Sequence, residues 1–154
     1  MNKAKVDPNK IHLLAIKILK AHFEVDGDLM DSNIKLGDYK VDLSSTPGFS
    51  LEEKLVRFRL NIALSGYDTN GNEIGVKGSY CIDYTFQVEN LQEFIYPEED
   101  IKTFSVDDNL VATIAGISYS TSRGIILDRT QATEFNGVLL PVIDPYQLFE
   151  HTNE

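Results

Sequence analysis

The sequence predicts an α+β domain with a strand-rich front and a helical back. Three observations carry that reading. From Val56 to Leu64, Val56, Phe58, Leu60, Ile62 and Leu64 point one way, and Arg57, Arg59, Asn61 and Ala63 the other. From Ile74 to Val88, Ile74, Val76, Tyr80, Ile82, Tyr84, Phe86 and Val88 share a face with Gly78, and Lys77, Ser79, Cys81, Asp83, Thr85 and Gln87 line its reverse. Strict alternation marks half-buried antiparallel strands. Further on, Leu110, Ile114, Ile117 and Thr121 recur at three- and four-residue spacing, the apolar stripe of a helix of roughly twenty residues. Strands followed by helices are the order of an α+β fold.

The first element, Ile11 to Val25, fits two patterns. Ile11, Leu14, Ile18 and His22 would share a helix face. Leu14, Ile16 and Ile18 also alternate as in a strand, as do Leu19, Ala21, Phe23 and Val25, and a bulge near Leu19 would join the two registers. Periodicity leaves both open. Asp26 to Ser50 is rich in Asp, Gly and Ser. It is expected to be loop, with a short strand at Lys40 to Leu43 and a turn at Pro47-Gly48. Asp68-Thr69-Asn70-Gly71-Asn72 supplies the turn of the central hairpin, because Asn-Gly tolerates positive φ.

Leu91 to Thr103, with Pro97 and the acidic run Glu98-Glu99-Asp100, reads as a surface loop. Ser105 or Asp107 can cap the long helix, which continues to Gly124 and Ile125. Gly116, Ser118, Ser120 and Ser122 keep parts of it slim enough for close packing against another helix. Asp144-Pro145 is a helix start, a cap followed by proline at the first helical position. The last helix is therefore short, Pro145 to His151, with Tyr146, Leu148 and Phe149 as its apolar residues.

A chain of 154 residues suits one domain, 1–154, with 1–10 and 151–154 expected to be flexible. The net charge of -10 argues against nucleic acid, whose phosphates require a cationic surface, and favours cationic or weakly charged partners. One cysteine, Cys81, excludes an internal disulfide and a cysteine-rich zinc site, and its place in a strand pattern fits a small buried hydrophobe. No segment is expected to span a bilayer, and the polar start resembles no secretory signal. A cytoplasmic protein is the expectation.

Little in the sequence suits catalysis, and no enzyme activity, cofactor or metal is expected. His12, His22 and His151 have no metal-ligand spacing, and phosphate-loop and nucleophile motifs are absent. The run Asp68 to Glu73 mimics the opening of a calcium loop, but its glycine falls two positions early and Ser79 stands where the bidentate glutamate belongs. The positive signal is apolar. Leu29, Met30, Ile34, Leu36 and Tyr39 punctuate a segment that otherwise reads as loop. They either fasten that loop to the domain or line a groove for extended nonpolar segments, where Met and aromatic side chains adapt to many partners.

Several short motifs resemble the SecB family of export chaperones over roughly Ile11 to Phe149. They are Tyr39-Lys40-Val41-Asp42-Leu43, Ser122-Arg123-Gly124, Val138-Leu139-Leu140-Pro141-Val142-Ile143-Asp144 and Tyr146-Gln147-Leu148-Phe149. The resemblance favours a strand at Ile11 to Val25. It implies a four-stranded antiparallel sheet with a long helix and a short C-terminal helix. It also implies a homotetramer, a dimer of dimers in which Leu110, Ile114 and Ile117 serve the interface. It further implies an ATP-independent holdase whose groove for unfolded polypeptide takes Leu29, Met30, Ile34, Leu36 and Tyr39 together with Leu140, Val142, Tyr146 and Phe149.

Two departures weigh against coupling to the SecA motor. No cysteine accompanies the tail His151-Thr152-Asn153-Glu154, and Lys20 stands where the family carries an aspartate, although Glu24 fits a second acidic position. The insertion-like Ile125 to Thr133 also places Ser122-Arg123-Gly124 earlier than in the family, so the helix is expected to run on toward Arg129. Some SecB-like proteins guard an antitoxin instead, and that is the second partner the resemblance implies.

Overall fold

The structure is a computed structural model and describes residues 3–26, 35–99 and 102–149. Four strands form one antiparallel sheet: β1 (Ile11–Val25), β2 (Asp38–Ser50), β3 (Leu55–Tyr67) and β4 (Glu73–Val88). Their order is β1-β4-β3-β2, so the hairpin of β3 and β4 occupies the centre and β1 and β2 are the edges. The alternation expected at Val56 to Leu64 and Ile74 to Val88 is present. Val56, Phe58, Leu60, Ile62, Tyr84 and Phe86 are almost fully buried on one face. In the hairpin turn, Gly71 takes φ 81°. The Asp68 carboxylate accepts from the backbone N–H groups of Asn70 (2.8 Å) and Asn72 (2.9 Å), which holds the turn closed.

β1 resolves the ambiguity of the first segment in favour of a strand. Its pairing with β4 slips twice, once between Leu13 and Ala15 and once between Ile18 and Lys20. The second slip is the bulge expected near Leu19. The first, at Leu14, changes which residues face inward: Leu13, Ile16 and Ile18 stand opposite Phe86, Tyr84 and Ile82.

β2 is longer than the short strand expected, and Pro47-Gly48 lies inside it rather than in a turn, with Pro47 opposite Phe58. Proline lacks an N–H donor but is tolerated on an edge strand, where one side of the backbone has no neighbour. The loop expected at Leu91 to Thr103 also carries structure. Leu91–Phe94 forms a 3₁₀ turn with Leu91 and Phe94 buried, and β5 (Ile95–Pro97) pairs with β6 (Phe104–Val106).

Helix α1 (Asp108–Arg129) packs across β3 and β4. Asp107 caps it, its carboxylate accepting from the Asn109 N–H at 2.9 Å. The helix runs to Arg129 as expected, so Ser122-Arg123-Gly124 lies within it. Its buried stripe is Leu110, Ile114, Ser118, Ser122 and Ile126, at four-residue spacing. The serines are slim because the sheet lies beneath them: Ser122 Oγ shares a hydrogen bond of 2.6 Å with the Tyr84 hydroxyl. Leu110 and Ile114 are completely buried within this one chain, whereas Ile117 is 38% exposed. The first two are therefore core residues with no surface left for a partner, and only Ile117 of the three interface candidates faces outward. α1 is also long and apolar enough to cross a bilayer, contrary to expectation, although half of that stretch is buried inside the protein.

Beyond α1 the chain returns along the sheet. Phe135 is fully buried and meets Phe23 of β1 edge-to-face, with ring centroids 5.8 Å apart. The last helix is shorter than expected, a 3₁₀ turn over Pro145–Leu148 capped by Asp144. The crossover between β1 and β2 is tethered at both ends to the central hairpin. The Asp26 N–H donates to the Gly75 carbonyl (3.0 Å), and the Gly37 N–H to that of Tyr67 (2.8 Å).

Candidate peptide-binding site

Residues 138–144 form an extended strap without helix or strand pairing. Three successive carbonyls in it are held by side chains from other elements. The Tyr39 hydroxyl of β2 donates to Leu139 O at 2.6 Å, Arg123 Nε of α1 donates to Leu140 O at 3.0 Å, and the Tyr119 hydroxyl of α1 donates to Pro141 O. Burial of the Tyr119 ring pushes its hydroxyl pKa upward, so it remains a neutral donor.

Pinned in this way, the strap turns Val138 and Leu140 inward and Leu139 outward, and beyond Leu140 the alternation ends, with Pro141 and Val142 both outward. Val138 and Leu140 are buried, at 4% and 1% exposure, while Leu139 and Val142 stand open at 55% and 84%. The turn that follows fastens to both neighbours. The Tyr146 hydroxyl donates to Asn109 Oδ1 at the start of α1 (2.7 Å), and the Ser45 hydroxyl of β2 donates to Leu148 O. The rings of Tyr146 and Phe149 lie 5.7 Å apart.

Of the nine groove candidates, Leu29, Met30 and Ile34 lie outside the described residues. Leu36 and Tyr39 are half-buried at the β2 edge, as are Tyr146 and Phe149 at the far end of the strap. Leu36 is seated over Gly66, where an added Cβ would come within 2.8 Å of its Cδ1. Tyr39 is tied to the strap through the Leu139 carbonyl, Val142 stands open on it, and Tyr146 and Phe149 meet on the turn that follows. Leu140 is not part of the open surface; it is an anchor in the core. Its neighbour Leu139 takes the outward place. The signal was present in the sequence, since an extended segment must alternate, but five consecutive apolar residues from Val138 to Val142 hide the phase.

A second apolar surface was missed altogether. On β1, Leu13, Leu14, Ile16, Ile18 and Leu19 are between 36% and 55% exposed. Such a row on an edge strand leaves both side chains and backbone groups free to meet another chain.

The reverse face of the sheet is polar. Arg59 grips Asp83 with two bonds, Nε to Oδ1 at 2.6 Å and Nη2 to Oδ2 at 2.8 Å. That fork holds the Asp83 carboxyl below its ordinary pKa, opposed by desolvation and assisted by the charges of Arg57 and Lys17. His12 contacts Glu89 at 2.7 Å and His22 contacts Glu24 at 3.3 Å, both at the surface. Cys81 lies half-buried on this face rather than in the core. Among the described residues no three His, Cys, Asp or Glu side chains cluster as metal ligands would.

No protein-family model matches the chain, and no curated protein matches it in sequence. Solved structures do match it in shape. A SecB-like chaperone of Mycobacterium tuberculosis, solved in complex with a ChAD peptide from the HigA1 antitoxin, aligns with a TM-score of 0.55 over 88% of this chain and 91% of its own, at 14% identity. A protein of unknown function from Streptococcus agalactiae aligns with a TM-score of 0.43 over 86% of this chain and 97% of its own, at 12% identity. The four-stranded antiparallel sheet, the long helix laid across it and the short 3₁₀ turn after the strap together make this a SecB-like fold.

Proposed function

We propose that the protein is an ATP-independent holding chaperone that takes extended apolar segments of non-native polypeptide along the strap flank. The observation that carries this reading is the open pair Leu139 and Val142, displayed on a backbone whose carbonyls are already satisfied. A rigid apolar ledge of this kind loses little entropy on binding and gains ~25 cal/mol for each Å² of apolar client surface it covers. Tyr146 and Phe149 extend the ledge at one end, and Leu36 and Tyr39 border it at the β2 edge. Work of this kind needs no nucleotide, cofactor or chemistry, and a cytoplasmic location suits it.

Assembly follows from the β1 edge. Two copies pairing β1 to β1 would cover the exposed Leu and Ile row, and outward residues of α1 such as Ile117 would join two such dimers into a tetramer. A narrower second reading is supported by the Mycobacterium tuberculosis neighbour, which holds an antitoxin peptide. In that case the same ledge serves one dedicated partner. SecA is the less suited recipient because Lys20 stands where the resemblance leads one to expect an aspartate.

Suppression of aggregation of a chemically unfolded model protein tests the proposal. Full suppression is expected at one tetramer per client, and light scattering should show a client-bound complex. Absence of both effects would overturn the holdase reading. Suppression confined to one antitoxin-like partner would select the dedicated role.

A further inference from the structure

The chain is strongly acidic overall, yet one of its surfaces is basic. The face of the sheet opposite α1 carries Lys17, Lys20, Arg57 and Arg59 around the carboxylate of Asp83, with Glu24 and Asp42 farther from this centre. Lys17 and Arg59 stand directly opposite Asp83 on its two neighbouring strands. Lys17 and Lys20 are three residues apart and would fall on opposite faces of a regular strand. The bulge at Leu19 resets the alternation, so that Lys20 stands opposite Cys81 on the same face as Lys17. Arg59 is spent on Asp83 through its two-bond fork. Lys17, Lys20 and Arg57 are exposed, and no described carboxylate lies within ion-pair distance of any of them.

We infer that this open sheet face docks an acidic polypeptide segment. Charge complementarity selects the occupant. Lys17 and Arg57 flank β4 on β1 and β3, two residues out of register and about 12 Å apart. An extended peptide places carboxylates two residues apart at about 7 Å, so several can reach these cations at once. Polar side chains between the cations, among them Asn61 and Thr85, are half-buried and suited to hydrogen bonds with such a peptide. Nucleic acid fits less well. No aromatic side chain lies among these residues to stack a base. This docking is separate from the strap ledge, which lies on the opposite side of the sheet, and its partner is anionic where net charge alone favours cationic or weakly charged ones.

Fluorescence anisotropy of a labelled glutamate-rich peptide of about twelve residues, titrated with the full chain, tests the inference. Saturable binding is expected at ~50 mM salt, weakening at ~300 mM as screening shortens the reach of the cations. Arg57→Glu, and the pair Lys17→Glu with Lys20→Glu, should each weaken it by about tenfold or more. The neutral pair Lys17→Gln and Lys20→Gln should weaken it less, and Val142→Ser should leave it unchanged. Unaltered circular dichroism would show that the variants fold. No binding, equal binding by the reversed-charge variants, or equal binding of a lysine-rich peptide would overturn the inference. So would a single-stranded oligonucleotide of equal charge binding more tightly.

Discussion

The two edge strands of the sheet have opposite relations between composition and cover. β1 is the more apolar, yet Leu13, Ile16 and Ile18, which face the helix side, are 42%, 41% and 36% exposed. β2 is the more polar, yet its helix side is covered: Ser45 is buried at 7%, and Val41, Leu43 and Phe49 pack against the core. What differs is where the chain returns. The strap and the turn after it are held to β2 by Tyr39 and Ser45, while β1 receives the ring of Phe135 at Phe23. Among the described residues, β1 therefore carries apolar surface that no other element covers, which is the surface the proposed β1 pairing would use.

Substitutions can break or sharpen this contrast. The largest effect is expected on the covered side: Leu140→Ala should cost about 3 kcal/mol, measured by urea unfolding at fixed protein concentration. A loss under about 1 kcal/mol would mean that the strap does not seal the β2 flank. In the middle of the sheet, Asp83→Asn should lower Tm by about 2–4 °C at neutral pH. The sign with pH is set by the lowered Asp83 pKa. Its contribution is complete above the unfolded carboxyl value of about 4 and is lost as pH falls through the lower folded value. The gap between wild type and variant should therefore close in acid, and a constant gap would assign the effect to packing.

Tyr39→Phe removes one pin of the strap and should cost about 1 kcal/mol, with faster amide exchange in the strap as the local readout. On the bare edge, Ile16→Ser with Ile18→Ser should change unfolding of the protomer by no more than about 0.5 kcal/mol. The same pair should reduce the mass seen in light scattering, and an unchanged mass would remove β1 from the assembly.

The central hairpin was legible in the sequence because its strands have one buried and one polar face, which forces strict alternation. The cap at Asp107, the helix end at Arg129 and the bulge at Leu19 were legible for similarly local reasons. β1 was ambiguous because a bulged strand breaks period two, and its apolar residues then also fit a helix stripe. β2 was read short because Pro47-Gly48 signals a turn wherever a strand has neighbours on both sides, and an edge does not. Leu91 and Phe94 were hidden in an acidic, Pro-containing stretch whose average polarity resembles a loop. At the candidate site, Leu110, Ile114 and Leu140 were assigned to a surface although they are core. An apolar residue that faces its own sheet is indistinguishable in sequence from one that faces a partner. Leu139 was missed for the complementary reason, since its phase within an all-apolar run is set by Tyr39, Arg123 and Tyr119, which lie far from it in sequence.

The tethers on either side of the crossover, at Asp26 and Gly37, fasten it to Gly75 and Tyr67 near the same end of the central hairpin. Entry and exit are thereby fixed by backbone bonds that depend on no crossover side chain. Lengthening a closed loop is thermodynamically mild, about 0.6 kcal/mol for each doubling. The strand register at this end therefore does not rest on the side chains between the two tethers. Changing the length of chain between Asp26 and Gly37 should accordingly leave the pairing of β1 with β4 and of β2 with β3 unchanged.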